Sequence, residues 1–387
     1  MRVLIIHIEG NSFNNPSMKE IMNLLLEKGC KIDLRYAKSH IPMPQYAGIR
    51  YLPFGAMIRI LKTIIFDLLC LRPLVLLSVI AEIYFCYRKY DLIIGVDRRG
   101  LIEASVINKF TGTPYAFISF EIMFEGETSV RYKSLEREAS KGVTVWFVQD
   151  DFRAEQLQKE NGLDPHKKML LPVASAGIGR PNSVRLRDFL GVPIDKNVAI
   201  AIGSVFDWAM TRKILESVEG WPEDWVFVVH ERYGRTSENL TEALAPLRHL
   251  VGRKIFISDA ATEDIGDLGG ILSGVSVGLA FYEPTYKDSH SGNNLKYLGL
   301  SSGKISTYLR YGIPVVINEI GLYAKEARLH RFGFVVECPQ QIRHKLDNCL
   351  DDQLKRNALD YFSRKLDFNL YRDRVWQSVS AVKPECC

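Results

Sequence analysis

The chain has 387 residues, 47% of them hydrophobic and 25% charged, which excludes a disordered or fibrous protein and suffices for two domains with substantial cores. A formal net charge of +5 is too small at this length to indicate nucleic acid, yet it suits anionic small molecules or an anionic membrane surface. Seven cysteines, odd in number and without a Cys-x-x-Cys pair, read as reduced thiols of a cytoplasmic protein, with Cys386 and Cys387 in a frayed tail.

The chain opens on "RVLIIHI" (2–8), an apolar run with one basic residue that turns polar at once. It predicts a strand buried on both faces of a parallel sheet, not a signal peptide. A helix from about Pro16 to Lys28 and the strand "CKIDLRYA" follow. Residues 51–90 are apolar and basic, with Arg59, Lys62, Arg72, Arg88 and Lys89 punctuating aliphatic runs. Arg72, Pro73 and Glu82 keep any clean run below the ~20 residues a membrane span needs. This stretch is read as domain core or an oligomer contact, or as a surface resting on the inner leaflet beside a lipid-linked acceptor. Strands at 91–97, 114–120 and 143–149, with helical patterns between them, complete a doubly wound α/β domain over 1–172.

A Gly-, Pro- and Ser-rich stretch marks a linker at 173–185. The alternation restarts with strands at 197–203, 225–230, 254–258, 275–281, 313–318 and 332–337, giving a second domain over 186–366. The segment 367–387, within a helical region that begins at 339, is expected to return to the first domain. The expected fold class is therefore α/β, with two Rossmann-like doubly wound domains facing a cleft. Ligands in such sheets bind outside the carboxyl ends of the strands, so the strand-end loops hold the candidate chemistry.

One of those loops, in "LSSGKISTYLRYGIPVVINEIG" (300–321), carries the sharpest local signal. Ser302 or Ser301 is a candidate N-cap, Ile305, Tyr308 and Leu309 form an apolar face, and Gly312 stops the helix before Pro314. Lys304 stands in the first turn, where the helix dipole disfavours a cation. A diphosphate on the backbone N–H groups of that turn, reached closely past Gly303, would make the lysine a partner. A capped surface helix with a solvated lysine is the alternative.

"SSGKISTYLRYGIPVV" resembles the Lys-(Leu/Ile)-x-x-Tyr-(Leu/Met)-x-x-Gly-(Ile/Leu)-Pro-Val-(Val/Ile) segment of nucleotide-sugar-dependent glycosyltransferases of the GT-B fold, in the family 4-like group. "INKFTGTPYAFISFE", "WFVQDDFRAEQLQKENGLDPHKKMLLPVAS", "VAIAIGSVFDWAMTRKILESV" and "GVSVGLAFYEP" are similar to further segments of that family, in its order and over nearly the whole chain. The resemblance implies a donor-binding C-terminal domain and an acceptor-binding N-terminal domain. Two features depart from the pattern. The Glu-x7-Glu pair of many members falls on Gly299 and Thr307, and "EGNSFNNPS" (9–17) replaces a Gly-Gly turn.

On this basis Ser302, Gly303, Lys304, Thr307, Arg212, Lys213, His230, Ser258, Asp259, Glu283 and Asn294 are the candidate donor-binding residues. Their bland readings are solvated helix faces and self-stabilised turns. Ser258 and Asp259 would receive the nucleobase through backbone groups, and the loop 282–300 would close over the donor sugar. Glu9, Asn11 and Asn14 are candidate acceptor-side residues. Glu121 and Asp97 are candidate bases for an inverting transfer, each equally readable as a helix-capping carboxylate; a retaining transfer would rely on phosphate stabilisation instead. No Asp-x-Asp follows an apolar strand, and Asp150–Asp151 reads as a helix N-cap, so no metal and no cofactor beyond the nucleotide-sugar co-substrate is expected.

The expected function is transfer of a sugar from a nucleotide-diphosphate sugar to a glycan or lipid-linked acceptor hydroxyl, in polysaccharide or glycoconjugate assembly. A nucleotide-sugar 2-epimerase of the same fold and a non-catalytic partner subunit are the alternatives. The expected location is cytoplasmic, with peripheral membrane contact and oligomerisation left open.

Overall fold

The computed structural model of the chain describes residues 1–8, 12–37, 45–54, 56–86, 89–182, 185–203, 205–231, 238–258 and 267–382. Glu9, Asn11, Asp259 and Arg88 lie outside them. The chain divides into two compact units: Met1–Pro172 with Asp288–Asn294 and Tyr371–Cys387, and Val173–Lys287 with Leu295–Leu370.

Unit 1 carries a seven-stranded sheet of β1 (Arg2–His7), β2 (Lys31–Ala37), β3 (Ile49–Phe54), β4 (Leu92–Val96), β5 (Tyr115–Ile118), β6 (Trp146–Val148) and β7 (Lys168–Leu170). Its order is β3-β2-β1-β4-β5-β6-β7, and every pairing is parallel. The chain winds outward from β1 to β3, then jumps back to β4, so the switch point lies between β1 and β4. Val3, Leu4, Ile5 and Ile6 are all buried, as are all five residues of β4, because helices cover both faces. The segment from Tyr371 packs back on this unit: Lys28 Nζ sits 5.6 Å over the Trp376 ring and Arg372 pairs with Glu27.

The sequence pattern leaves out β7, only three residues long, and β3, whose "IRYLPF" carries Pro53 and overlaps the stretch read as core or membrane contact. Pro53 is tolerated because β3 is an edge strand. The strand is held by charge: Arg50 stands directly opposite Asp33 in the register, and its Nε and Nη2 donate to the Asp33 carboxylate at 3.1 and 2.5 Å. Tyr90 Oη donates to the same carboxylate at 2.7 Å. Burial alone would raise the Asp33 pKa, but these hydrogen bonds bring it below the ordinary value.

Unit 2 carries β8 (Asn197–Ile202), β9 (Trp225–His230), β10 (Ile255–Ser258), β11 (Val277–Ala280), β12 (Val315–Asn318) and β13 (Gly333–Val336), all parallel, in the order β10-β9-β8-β11-β12-β13. Its strands alternate between two apolar layers. Val198, Ile200, Val226 and Val228 join one layer with Ile305, Tyr308 and Leu309 of the helix Gly303–Arg310. Ala199, Trp225, Phe227 and Val229 join the other with Ile214, Leu215 and Leu240. The switch point of this sheet lies between β8 and β11.

Those two strands share only two register pairs, Ala199 with Val277 and Ile200 with Gly278, before they part. Tyr308 fills the gap. Its hydroxyl accepts the Ile202 N–H at 2.9 Å and lies 3.3 and 3.4 Å from the carbonyl oxygens of Ile200 and Leu279. Its ring lies flat against Gly278, where a Cβ would stand 2.4 Å from the ring carbons. Gly278→Ala is therefore expected to displace the ring and destabilise unit 2 by about 1–3 kcal/mol, read as a lower urea midpoint.

Candidate functional site

The helix Gly303–Arg310 begins where β8 and β11 part. Ser302 is its N-cap: Oγ accepts the Ile305 N–H at 3.2 Å and shares a 2.6 Å hydrogen bond with Tyr282 Oη. Gly312, in the left-handed region at φ 69°, ends the turn that follows. Tyr308 is one helical turn after Lys304, so the buried tyrosine sets the position of the lysine.

Lys304 lies over Gly203, the residue after β8. A Cβ at Gly203 would stand 2.9 Å from Lys304 Cε, and its φ of 106° is open to glycine alone. The Lys304 ammonium sits 5.5 Å from the Trp208 ring centroid and 5.8 Å from that of Tyr282, and these two rings stack at 6.1 Å. Phe206, half-exposed, stacks on Trp208 at 5.9 Å. Asn318 fixes the strand end from behind, accepting the Tyr282 N–H at 3.0 Å and donating to its carbonyl at 2.7 Å. The site is thus one cation on an aromatic platform, at a helix start whose first N–H groups have no intrahelical acceptor.

The other sequence candidates of unit 2 take varied places. His230 is buried, and its Nδ1 lies 2.9 Å from Ser258 Oγ, while its carbonyl accepts the Gly203 N–H at 3.0 Å. The pair shapes the Gly203 turn from beneath. Lys213 and Glu283 form a surface ion pair at 2.6 Å, and Glu283 N–H donates to the Trp208 carbonyl at 2.8 Å. Arg212 faces Glu242 at 3.8 Å, exposed on the helix surface. Thr307 is buried within the helix that carries Lys304. Trp208, Gly203 and Asn318 were not among the sequence candidates. Their signal was an aromatic pair following a strand-end glycine, but nothing local ties residues 203–208 to residue 304.

Asn294, read from sequence beside the donor sugar, belongs to unit 1. Its amide donates to Glu121 Oε2, while its Oδ1 accepts the Ile122 N–H at 3.0 Å and Arg153 Nη2 at 3.1 Å. Arg153, fully buried, also donates to the Phe120 carbonyl at 2.8 Å. Burial lowers the Arg153 pKa, and the charges of Glu121, Asp150 and Asp97 oppose that shift. Asp150 caps its helix, accepting the Arg153 N–H at 2.9 Å.

Asp97 stands at the unit 1 switch point with a left-handed backbone (φ 54°), unusual for a residue with a side chain. Its Oδ1 accepts the N–H groups of Phe120 and Glu121 at 2.7 and 3.0 Å, and its Oδ2 lies 3.9 Å from His7 Nε2. Asp97 therefore holds the turn that carries Glu121. Asn14 is half-buried in the short turn Ser12–Asn14, whose Ser12 Oγ lies 2.8 Å from His7 Nδ1. Among the described residues no group of three or more His, Cys, Asp or Glu side chains is placed to hold a metal ion.

Burial outweighs the nearby carboxylate and lowers the His7 pKa from 6.5 to about 4. Above pH 6.5 both folded and unfolded chains carry neutral His7; between 6.5 and about 4 only the unfolded chain gains the proton. Stability is thus complete above pH 6.5 and falls as pH drops through that window, by roughly 3 kcal/mol in all. His7→Asn is expected to flatten this slope, as measured by denaturant unfolding from pH 7 to 4.

Solved structures share the fold along nearly its full length. Sucrose-phosphate synthase from Thermosynechococcus elongatus superposes with a TM-score of 0.70 at 11% identity, covering 99% of each chain. HepE of Anabaena, solved in complex with UDP-glucose, gives 0.69 at 12%, covering 98% of this chain and 100% of that one. WaaG, a glycosyltransferase involved in lipopolysaccharide biosynthesis, gives 0.64 at 14%, covering 97% and 99%. No protein-family model and no curated protein sequence matches the chain. At these identities the likeness establishes the fold, which is the two-domain α/β architecture implied by the sequence resemblance.

Proposed function

We propose that the chain is a metal-independent glycosyltransferase that moves a sugar from a nucleotide-diphosphate sugar to an acceptor hydroxyl. The observation that carries this reading is Lys304, held over a glycine at the switch point of unit 2 and at a helix start. Unit 2 takes the donor. Its diphosphate meets the N–H groups of Gly303 and Lys304, and the Lys304 ammonium leaves the Trp208 and Tyr282 rings to pair with it. Lys213 and Arg212 add positive charge from the neighbouring helix, and Thr307 lies on the same helix as the lysine. The backbone after Ser258 receives the nucleobase. Glu283 opens the loop beside the sugar.

In the transfer, the bond from the anomeric carbon to the phosphate oxygen breaks and a bond to the acceptor oxygen forms. The negative charge growing on the diphosphate is offset by Lys304 and the helix start, which act where charge develops. Unit 1 takes the acceptor through the loops after β1 and β4. If configuration inverts, Glu121 is the carboxylate we assign to the acceptor proton, oriented by Asn294 and by the turn that Asp97 holds. If configuration is retained, the proton passes to the departing phosphate oxygen. The acceptor is a glycan or lipid-linked saccharide, in polysaccharide or glycoconjugate assembly, met at a membrane surface through residues 51–90. Among the described residues no helix is long and apolar enough to cross a membrane.

Thermal unfolding with UDP, GDP, TDP, ADP and CMP, with and without magnesium, tests the donor site. One diphosphate should raise the midpoint without metal, since a ligand at a hundred times its dissociation constant adds about 2.7 kcal/mol. UDP is the first choice, as the HepE structures hold UDP or UDP-glucose. Lys304→Ala should weaken binding by about 1–3 kcal/mol in calorimetry, the scale of a charged hydrogen bond. No shift from any nucleotide, or an unchanged dissociation constant in the variant, sinks the reading. Turnover of the nucleotide sugar without an acceptor would assign the 2-epimerase chemistry instead.

A further inference from the structure

The helical stretch that follows β3 exposes a series of aliphatic side chains among its described residues. In Ala56–Thr63, Lys62 points inward: its Nζ donates to Glu103 Oε1 at 2.6 Å, and both side chains are buried. That pair turns the aliphatic residues outward. Ile60 is 62% exposed, Leu61 54% and Leu77 62%, with Ile64, Leu69 and Leu71 also exposed. Six of the nineteen exposed large hydrophobics among the described residues lie within these eighteen positions. Such a concentration marks an interaction surface.

A basic pocket adjoins it. Its volume is about 690 Å³, and its walls bring Arg72, Lys109, Arg137 and Lys141 together with the single carboxylate Glu138. Arg72 and Lys109 share Glu138 at 2.7 and 2.8 Å, while Arg137 reaches Glu125 with both terminal nitrogens at 3.0 Å. The pocket walls therefore carry a surplus of positive charge. Pocket and aliphatic surface are continuous. Cys70, between Leu69 and Leu71, places Sγ 3.5 Å from Ser129 Oγ, next to Val130, which is exposed on the pocket wall. Arg72 belongs to both.

We infer that this face of unit 1 seats on an anionic lipid bilayer, the aliphatic residues entering the acyl boundary and the pocket taking a phosphate-bearing headgroup. Charge complementarity selects the occupant. A second copy of this chain would bring the same cations against themselves, whereas an anionic leaflet supplies the opposite charge beside an apolar layer. The inference deepens the membrane part of the proposed function but does not depend on the donor site, since no nucleotide residue lies on this face.

The test is sedimentation of the full chain, without nucleotide, with vesicles of phosphatidylcholine alone and of phosphatidylcholine mixed with phosphatidylglycerol. Strong partitioning to the mixed vesicles only, weakened by salt, is expected. The triple variant Ile60→Ser/Leu61→Ser/Leu77→Ser should lower the partition coefficient at least tenfold, since each leucine-sized side chain loses its burial. Lys109→Gln/Lys141→Gln should lower it about tenfold, and unchanged unfolding midpoints would show that the variants fold. Free glycerol 1-phosphate should fail to detach the protein, because the aliphatic contact is absent without a bilayer. Detachment by it would assign the pocket to a soluble phosphate and overturn the bilayer reading. Equal partitioning to neutral vesicles, or variants that bind like the parent, would overturn it as well. So would a lipid-free dimer that the triple serine variant dissolves, which would give the face to a second copy. Nucleotide binding is measured separately, so failure here and failure of the donor site are distinguishable.

Discussion

The position of the candidate site depends on one buried hydroxyl. Tyr308 bonds to both central strands of the second sheet at the place where their own ladder has run out. An unpaired backbone N–H in that gap would cost on the order of 1–3 kcal/mol, so the tyrosine satisfies a requirement that the splayed strands create. Because its ring is clamped on Gly278, the helix has one depth and one rotation available. Lys304, a turn earlier, is carried to the mouth of the gap with no freedom of its own at the backbone. The lysine is the chemical group; the tyrosine is the reason it is there.

The same logic of a committed polar group runs through unit 1. Asp33 in the interior of β2 requires a partner, and Arg50 directly across the ladder supplies it, bringing the edge strand into register. Lys62 and Glu103 fix which face of a short helix looks inward. Asp97 accepts two N–H groups of a single turn on one carboxylate oxygen and adopts a left-handed backbone in doing so. Such pairs are weak sources of net stability, because desolvation offsets much of the attraction, but removing one partner is costly. Their effect is to exclude alternative arrangements.

This explains which parts were legible in the sequence. Eleven strands were visible as apolar runs, because a parallel sheet buried on both faces tolerates little else. The serine cap, the apolar face 305–308–309 and the glycine stop of the Lys304 helix were equally local. What escaped was set by partners distant in the chain. The edge strand carries a proline and is held by an arginine whose carboxylate lies 17 positions away. The aromatic platform under Lys304 comes from residues 208 and 282, and no spacing rule links them. The partners of Asn294 were equally out of reach: Arg153, 141 positions earlier, and Glu121 hold its amide. Pattern reads periodic burial; it does not read which charges will find each other.

The division of the chain has a consequence for its synthesis. Unit 1 is drawn from residues up to 172, from the short segment 288–294 and again from 371 onward, with unit 2 made in between. At the ribosomal pace of about 5–20 residues per second, the ~200 intervening residues keep the helix Pro16–Glu27 waiting roughly 10–40 s for the helix Arg372–Ser380 that packs on it. Throughout that interval the nascent chain exposes the apolar side of Arg372–Ser380's docking surface on helix Pro16–Glu27, while unit 2 has every segment it needs before translation ends. The second unit in sequence is thus the first that can be finished, and the growing polypeptide offers chaperones a bare surface on the half that was translated earliest.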